Sequence, residues 1–296
     1  MNLKYGTDPE FFSSINLGEK EYVVSPSLLE KDSGLPFLEQ DEDEKHPIYI
    51  HDSDFSWMMD GVAWELTVKS PKNNYKEIYD VINNSLNVLG EFLKNYKWNG
   101  RNLNLYKKPV INIDPSWYIP FLNLRKIYQG FIFGCDPDQD ALDQDYLCKT
   151  LDVSKHLFRY GGGHIHISGL GEFLNSPKPA IHLLACTVGN FCIANSPYPE
   201  LEKMRAETYG KAGRYREQKY KNGDFGIEYR TPSNSWCSYS LEKMEELFDW
   251  IQIGCKFLVD EKVSILDKYL DVSISNIKNC DQDSANQVLV DIKKEL

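Results

Sequence analysis

Ionisable residues recur two positions apart inside segments that otherwise read as β-strands, and this constrains the fold more than any other feature of the chain. Asp8 and Glu10, His164 and His166, and Glu228 and Arg230 form such pairs, in KYGTDPEFF, GGGHIHIS and GIEYRTP. Side chains alternate faces along a strand, so residues two apart share a face. Charged groups are costly to bury without partners. A sheet carrying these pairs therefore needs one polar face on a cleft and one apolar face on a core. Glu65, in DGVAWEL, lies opposite its apolar neighbours Trp64 and Leu66 in the same way. One polar sheet face is thus expected to gather Asp8, Glu10, Glu65, His164 and Glu228. Carboxylates held so closely repel one another and need cations to stay ionised. An oxygen-rich set with an occasional imidazole suits Mg²⁺ or Mn²⁺.

The strand-like segments alternate irregularly with helical ones. Residues 2–12, 21–25, 47–51, 61–68, 110–113, 130–133 and 226–231 read as strands, as do 157–168 around the interruption Gly161-Gly162-Gly163. Ile78, Ile82, Leu86, Leu89 and Leu93 stand at helical spacing within 74–96. An apolar helix is expected over 178–194, opening after Ser176-Pro177. A long helix follows over 240–259, with Ser240 as N-cap and Leu241, Met244, Phe248, Ile251 and Leu258 inward. The last twelve residues read as a polar helix. Short, unevenly spaced strands favour α+β with a mainly antiparallel sheet over a doubly wound fold. No repeat or linker divides the chain, so residues 1–296 read as a single domain. Within it, 30–47 form an acidic, solvated loop and 240–296 supply C-terminal helices.

Composition narrows the partners. Asp plus Glu number 44 against 33 Lys plus Arg, a formal net of −11. That field argues against a nucleic acid partner. No run approaches the roughly 18 apolar residues that cross a bilayer, so no membrane partner is expected. The opening MNLKYGTDPE lacks a basic segment followed by an apolar one, so a cytoplasmic location is expected. Seven cysteines without CxxC spacing, Cys186 and Cys192 among them in apolar runs, read as buried free thiols rather than zinc ligands.

Phosphate-binding side chains are at hand. RAETYGKAGRYR brings Arg205, Lys211, Arg214 and Arg216 together shortly before Glu228 and Arg230. A guanidinium clamps phosphate oxygens in a planar fork. The same spacing also fits a basic surface helix and turn. Neither GKS/T nor GxGxxG follows the glycines at 161–163. These glycines are expected to let the backbone approach a ligand or turn into the HIHIS strand.

GTDPEF at 6–11, DGVAWEL at 60–66, FGCDPD at 133–138, RYGGGHIHIS at 159–168, YGKAGRYR at 209–216 and IEYRTPSNSW at 227–236 occur in this order. Together, over roughly residues 1–240, they resemble the phage-type COOH–NH2 ligase family (phiEco32-like amidoligases) of the glutamine synthetase and glutamate–cysteine ligase superfamily. The resemblance implies a curved, mainly antiparallel sheet with helices on its outer face. It implies ATP and two or more Mg²⁺ (or Mn²⁺) ions, and a host cytoplasm for a phage-encoded chain. It makes Glu10, Glu65, His164, Glu228 and Asp8 metal ligands, with Asp8 standing where the superfamily has Glu. His166 would contact substrate or phosphate, and Arg230 the transferred phosphoryl. Arg214 and Arg216, with Lys211 and Arg205 nearby, would hold nucleotide phosphates. Cys135, Asp136 and Asp138 match a motif that reads as a structural turn. The implied activity is ATP-dependent amide formation between a carboxylate and an amine, on small-molecule or peptide substrates, through an acyl phosphate. A phosphotransferase on the same scaffold, a nucleotide-binding module without turnover and a metal-dependent hydrolase are the alternatives. The identity of acid and amine and the oligomeric state are left open.

Overall fold

The first strand, β1 (Lys4–Thr7), ends before Asp8-Pro9, and the next, β2 (Glu10–Leu17), enters a different sheet. Sequence alone suggested one strand over 2–12. Pro9 has no N–H to give a ladder, so pairing breaks there. The structure, a computed structural model, describes residues 2–26, 29, 48–98, 100–113, 139–142, 157–171, 177–219, 225–262 and 264–296. The acidic stretch 30–47, the expected strand at 130–133 and Cys135, Asp136 and Asp138 lie outside the described residues.

Strands continue with β3 (Lys20–Val24), β4 (Ile48–His51), β5 (Phe55–Asp60) and β6 (Ala63–Val68), followed by helix α1 (Tyr75–Lys94). Then come β7 (Lys97–Trp98), β8 (Arg101–Asn102), β9 (Asn104–Tyr106), β10 (Val110–Asn112), β11 (Gln139–Asp140), β12 (Phe158–Tyr160) and β13 (Ile165–Ser168). Helix α2 (Pro177–Leu184) runs through a π-helical turn (Ala185–Gly189) into α3 (Asn190–Ala194), and α4 (Pro199–Thr208) follows. Strands β14 (Arg214–Lys219) and β15 (Phe225–Tyr229) precede α5 (Leu241–Val259), α6 (Ser264–Asn279) and α7 (Gln282–Lys294). This is an α+β arrangement. One sheet has the order β1-β13-β15-β14-β11, entirely antiparallel. The larger has the order β12-β10-β3-β2-β6-β5-β4, with β9 also on β2, and only β10–β3 pair in parallel.

The register of the smaller sheet explains its two faces. Gly6, His166, Glu228 and Arg216 lie in one cross-strand row. Two residues further along each strand stand Asp8, His164, Arg230 and Arg214, so both rows share a face. The opposite face carries Tyr5, Ile165, Ile167, Ile227 and Tyr229, all buried. Helices cover it, with Tyr5 against Phe248 of α5 edge to face at 4.8 Å. Helix α1 begins at the N-cap Asn74, whose side chain accepts from Glu77 N at 3.0 Å, and buries Ile78, Ile82, Leu86, Leu89 and Leu93. Ser240 caps α5 as its sequence position suggests. Helix α7 is amphipathic rather than polar: Ala285, Val288, Leu289 and Ile292 form a buried stripe. Cys186, Cys192, Cys237, Cys255 and Cys280 are free thiols. Among the described residues, no helix is long and apolar enough to cross a membrane.

Candidate metal centre

Among the described residues two chain crossings link the two sheets, and the pairs Asp8/Glu10 and His164/His166 flank them. One crossing is Asp8-Pro9, between β1 and β2. The other is Gly161–His164, between β12 and β13. They are stitched together by Glu10 N donating to Gly162 O at 2.9 Å and by Gly162 N donating to Glu10 Oε2 at 2.8 Å. The three glycines approach protein groups. A Cβ on Gly162 would strike the His164 ring, and one on Gly163 would strike the Ser233 carbonyl and the Trp236 indole nitrogen. The indole in turn donates to Gly163 O at 2.8 Å. The glycine run thus lets β13 start hard against the loop that follows β15.

Two groups of three potential ligands face each other across this seam. Asp8, His164 and Glu228 bring ligand atoms within 4.8 Å of one another, as do Glu10, Asp60 and Glu65. The expected single polar face is therefore two faces: the first trio belongs to the smaller sheet, while Glu10 and Glu65 are cross-strand partners on β2 and β6 of the larger. Asp60 was missed from sequence. It ends β5, whose residues are all buried, and Gly61 takes the left-handed value of φ 58° that a two-residue hairpin needs at its first position. The Asp-Gly dipeptide was the signal that could have found it.

The electrostatics of the two trios differ. In the first, basic groups compensate the carboxylates. His164 Nδ1 lies 3.1 Å from Asp8 Oδ1 and 3.2 Å from Glu228 Oε1, and His166 Nε2 lies 3.2 Å from Asp8 Oδ1. Arg230 pairs with Glu228 Oε1, and Gln218 donates to Glu228 Oε2 at 2.6 Å. Burial works to raise the Asp8 carboxyl, but the His166 and His164 imidazoles hold it well below the usual range. Glu228 is pushed up by burial and by Asp8, yet its bond to His164 and the Arg230 charge bring it down to about 2. Burial and Arg230 disfavour a charged His164; Asp8 and Glu228 outweigh them and raise it to about 9.

In the second trio, Glu10 and Glu65 stand differently. Among the described residues Glu10 and Glu65 form no ion pair. Burial raises Glu10, His164 opposes it and Asp60 adds to it, leaving the carboxyl at about 7. Glu65 goes well above its ordinary value, through burial and then the charges of Asp60, Asp8, Glu10 and Glu228. This is the condition a divalent cation relieves, and the donor sets, three carboxylates in one trio and two carboxylates with an imidazole in the other, fit Mg²⁺ or Mn²⁺.

The four basic residues of RAETYGKAGRYR do not form one patch. Arg214 and Arg216 lie on the polar face. Arg216 Nη1 is 3.7 Å from Glu228 Oε2, and Arg214 Nε is 3.7 Å from Asp140 Oδ2. The Arg214 Nη1 is buried with no partner among the described residues. Lys211 is exposed at the surface. Arg205 departs from the expectation of a phosphate contact. It is buried in α4, and its guanidinium donates to Thr231 O at 2.7 Å and Pro232 O at 3.0 Å. It secures the loop after Arg230 instead. Sequence reasoning also missed Gln218, which holds Glu228, and Tyr209, whose hydroxyl lies 3.1 Å from His164 Nε2 and 3.2 Å from Arg230 Nη2. No family model matches this chain, and neither a curated protein nor a solved structure matches it significantly.

Proposed function

We propose that the protein is an ATP-dependent carboxylate–amine ligase with a glutamine-synthetase-like catalytic fold, using two Mg²⁺ or Mn²⁺ ions. The observation that carries this reading is the pair of three-ligand trios set across a seam, beside arginines on the same sheet face. Asp8, His164 and Glu228 would hold one cation, and Glu10, Asp60 and Glu65 the other. When bound, the cations supply charge neutralisation for the phosphates of ATP. Arg216, in the row of Glu228, and Arg214, in the row of Arg230, would bind phosphate oxygens. Arg230, fixed by Glu228 and Tyr209, stabilises the phosphoryl group as negative charge redistributes during transfer. His166, partly exposed within its row between Gly6 and Glu228, orients the acceptor.

The chemistry follows from what such a site stabilises. A carboxylate is a poor acyl donor because its leaving group would be oxide. A carboxylate oxygen attacks the γ-phosphorus and the bond to the β-phosphate oxygen breaks, giving ADP and an acyl phosphate. The amine nitrogen then attacks the acyl carbon, phosphate departs, and the nitrogen loses a proton to leave an amide. No protein nucleophile is required.

Incubation with ATP, Mg²⁺ and paired acids and amines, with hydroxylamine as a surrogate amine, tests the reading by mass spectrometry. The expected products are ADP, phosphate and a species of acid plus amine minus water, or the hydroxamate. AMP with pyrophosphate would overturn the acyl-phosphate route. ADP formed with acid, but with neither amide nor hydroxamate, would make the protein a phosphotransferase.

A further inference from the structure

Tyr209 is the residue on which the metal trio and the arginine converge. Its hydroxyl oxygen is 3.1 Å from Nε2 of His164 and 3.2 Å from Nη2 of Arg230. The other ring nitrogen of His164 is the one turned toward Asp8 and Glu228, and the other terminal nitrogen of Arg230 is the one bound to Glu228. One oxygen thus ties the outer edges of two groups whose inner edges share a carboxylate. An arginine nitrogen only donates, so the phenol oxygen accepts from Arg230.

The ring that carries this oxygen is itself held. Tyr160 stacks on it with centroids 6.4 Å apart and planes at 11°. The Arg205 guanidinium lies 5.0 Å from its centroid while bonded to the carbonyls of Thr231 and Pro232, the two residues after Arg230. Arg205 therefore connects the Tyr209 ring to the backbone that carries Arg230.

We infer that Tyr209 is a positioning residue: its hydroxyl fixes the His164 ring with Nδ1 toward Asp8 and Glu228, and it fixes the plane of the Arg230 guanidinium. This rests on the proposed function for its purpose, though not for its geometry. An imidazole has two similar edges, and nothing in a strand's backbone chooses between them; a partner on the far nitrogen does. Outer partners of metal-binding histidines change metal affinity by about 10–100-fold when removed.

The test is Tyr209→Phe, which keeps the stacked ring and removes one oxygen. Two measurements are made on the full chain. The first is proton exchange at the imidazole nitrogens by ¹⁵N-histidine NMR without metal. His182, whose Nε2 lies 2.9 Å from Ala141 O, serves as internal control. The second is Mn²⁺ affinity by electron paramagnetic resonance. Exchange at His164 Nε2 should speed by about tenfold or more with His182 unchanged, and Mn²⁺ affinity should fall by about tenfold. A loss of thermal stability without either change would mark a structural tyrosine and overturn the inference. If the parent protein binds no Mn²⁺, the metal reading fails while His164 exchange still decides the role of Tyr209.

Discussion

Glu10→Gln isolates a charge that the seam holds at a cost. The Glu10 carboxyl is raised from 4.5 to about 7, first by burial. The folded chain therefore binds this proton more tightly than the unfolded chain, and stability falls as pH rises from about 4.5 through about 7. At pH 8 the cost of keeping Glu10 ionised is about 3 kcal/mol; at pH 5 it is under about 1 kcal/mol. Glutamine keeps an oxygen for the Gly162 N–H, now 2.8 Å from Oε2, but carries no charge. In excess chelator the variant should exceed the parent at pH 8 by about 3 kcal/mol. That is a rise of about 6 °C in melting midpoint for a chain of this length. The advantage should shrink toward pH 5. With Mn²⁺ added the order should reverse, because the cation stabilises only the parent's ionised carboxylate. Thermal and urea melts across this range make the measurement. A variant no more stable than its parent at pH 8, or an advantage that grows as pH falls, would refute the reasoning.

Three further outcomes follow from the same geometry. Glu228→Ala removes an ion-pair partner of Arg230, which is itself buried, and should cost about 3–5 kcal/mol of stability in melts; Glu228→Gln keeps the side-chain shape but loses the charge facing Arg230 and His164, so it should melt below the parent, by less than Glu228→Ala, and lose turnover, and near-normal activity in it would exclude Glu228 as a metal ligand. Gly163→Ala places a methyl against the Ser233 carbonyl, which is backbone and cannot swing aside, so a stability loss of about 3 kcal/mol is expected in denaturant melts. ATP should bind in calorimetry only with Mg²⁺ or Mn²⁺, since the bare phosphates face five carboxylates, and tight binding in excess chelator would contradict this.

The smaller sheet was legible because strand periodicity alone puts His164 and His166, and Glu228 and Arg230, on one face. What periodicity does not reveal is where a strand leaves its sheet. Asp8 and Glu10 are two apart in sequence but flank the break at Pro9, so they serve opposite trios. Strand β5 was overlooked because it is buried on both faces, which erases the alternation, and Asp60 was lost with it. Arg205 illustrates the converse error. Closeness in sequence to Arg214 and Arg216 suggested a shared role, but the chain passes from helix to strand between them, and the guanidinium turns inward to backbone carbonyls. Tyr209 meets His164 and Arg230 across 45 and 21 residues of sequence, through contacts that no local pattern encodes.

Equilibrium Mn²⁺ binding, followed by electron paramagnetic resonance in the presence of ATP, tests the central claim most directly. The two trios predict two ions per chain, one lost in Glu65→Gln and the other in Glu228→Gln. Saturable binding absent from the parent, or unchanged in both variants, would contradict the account.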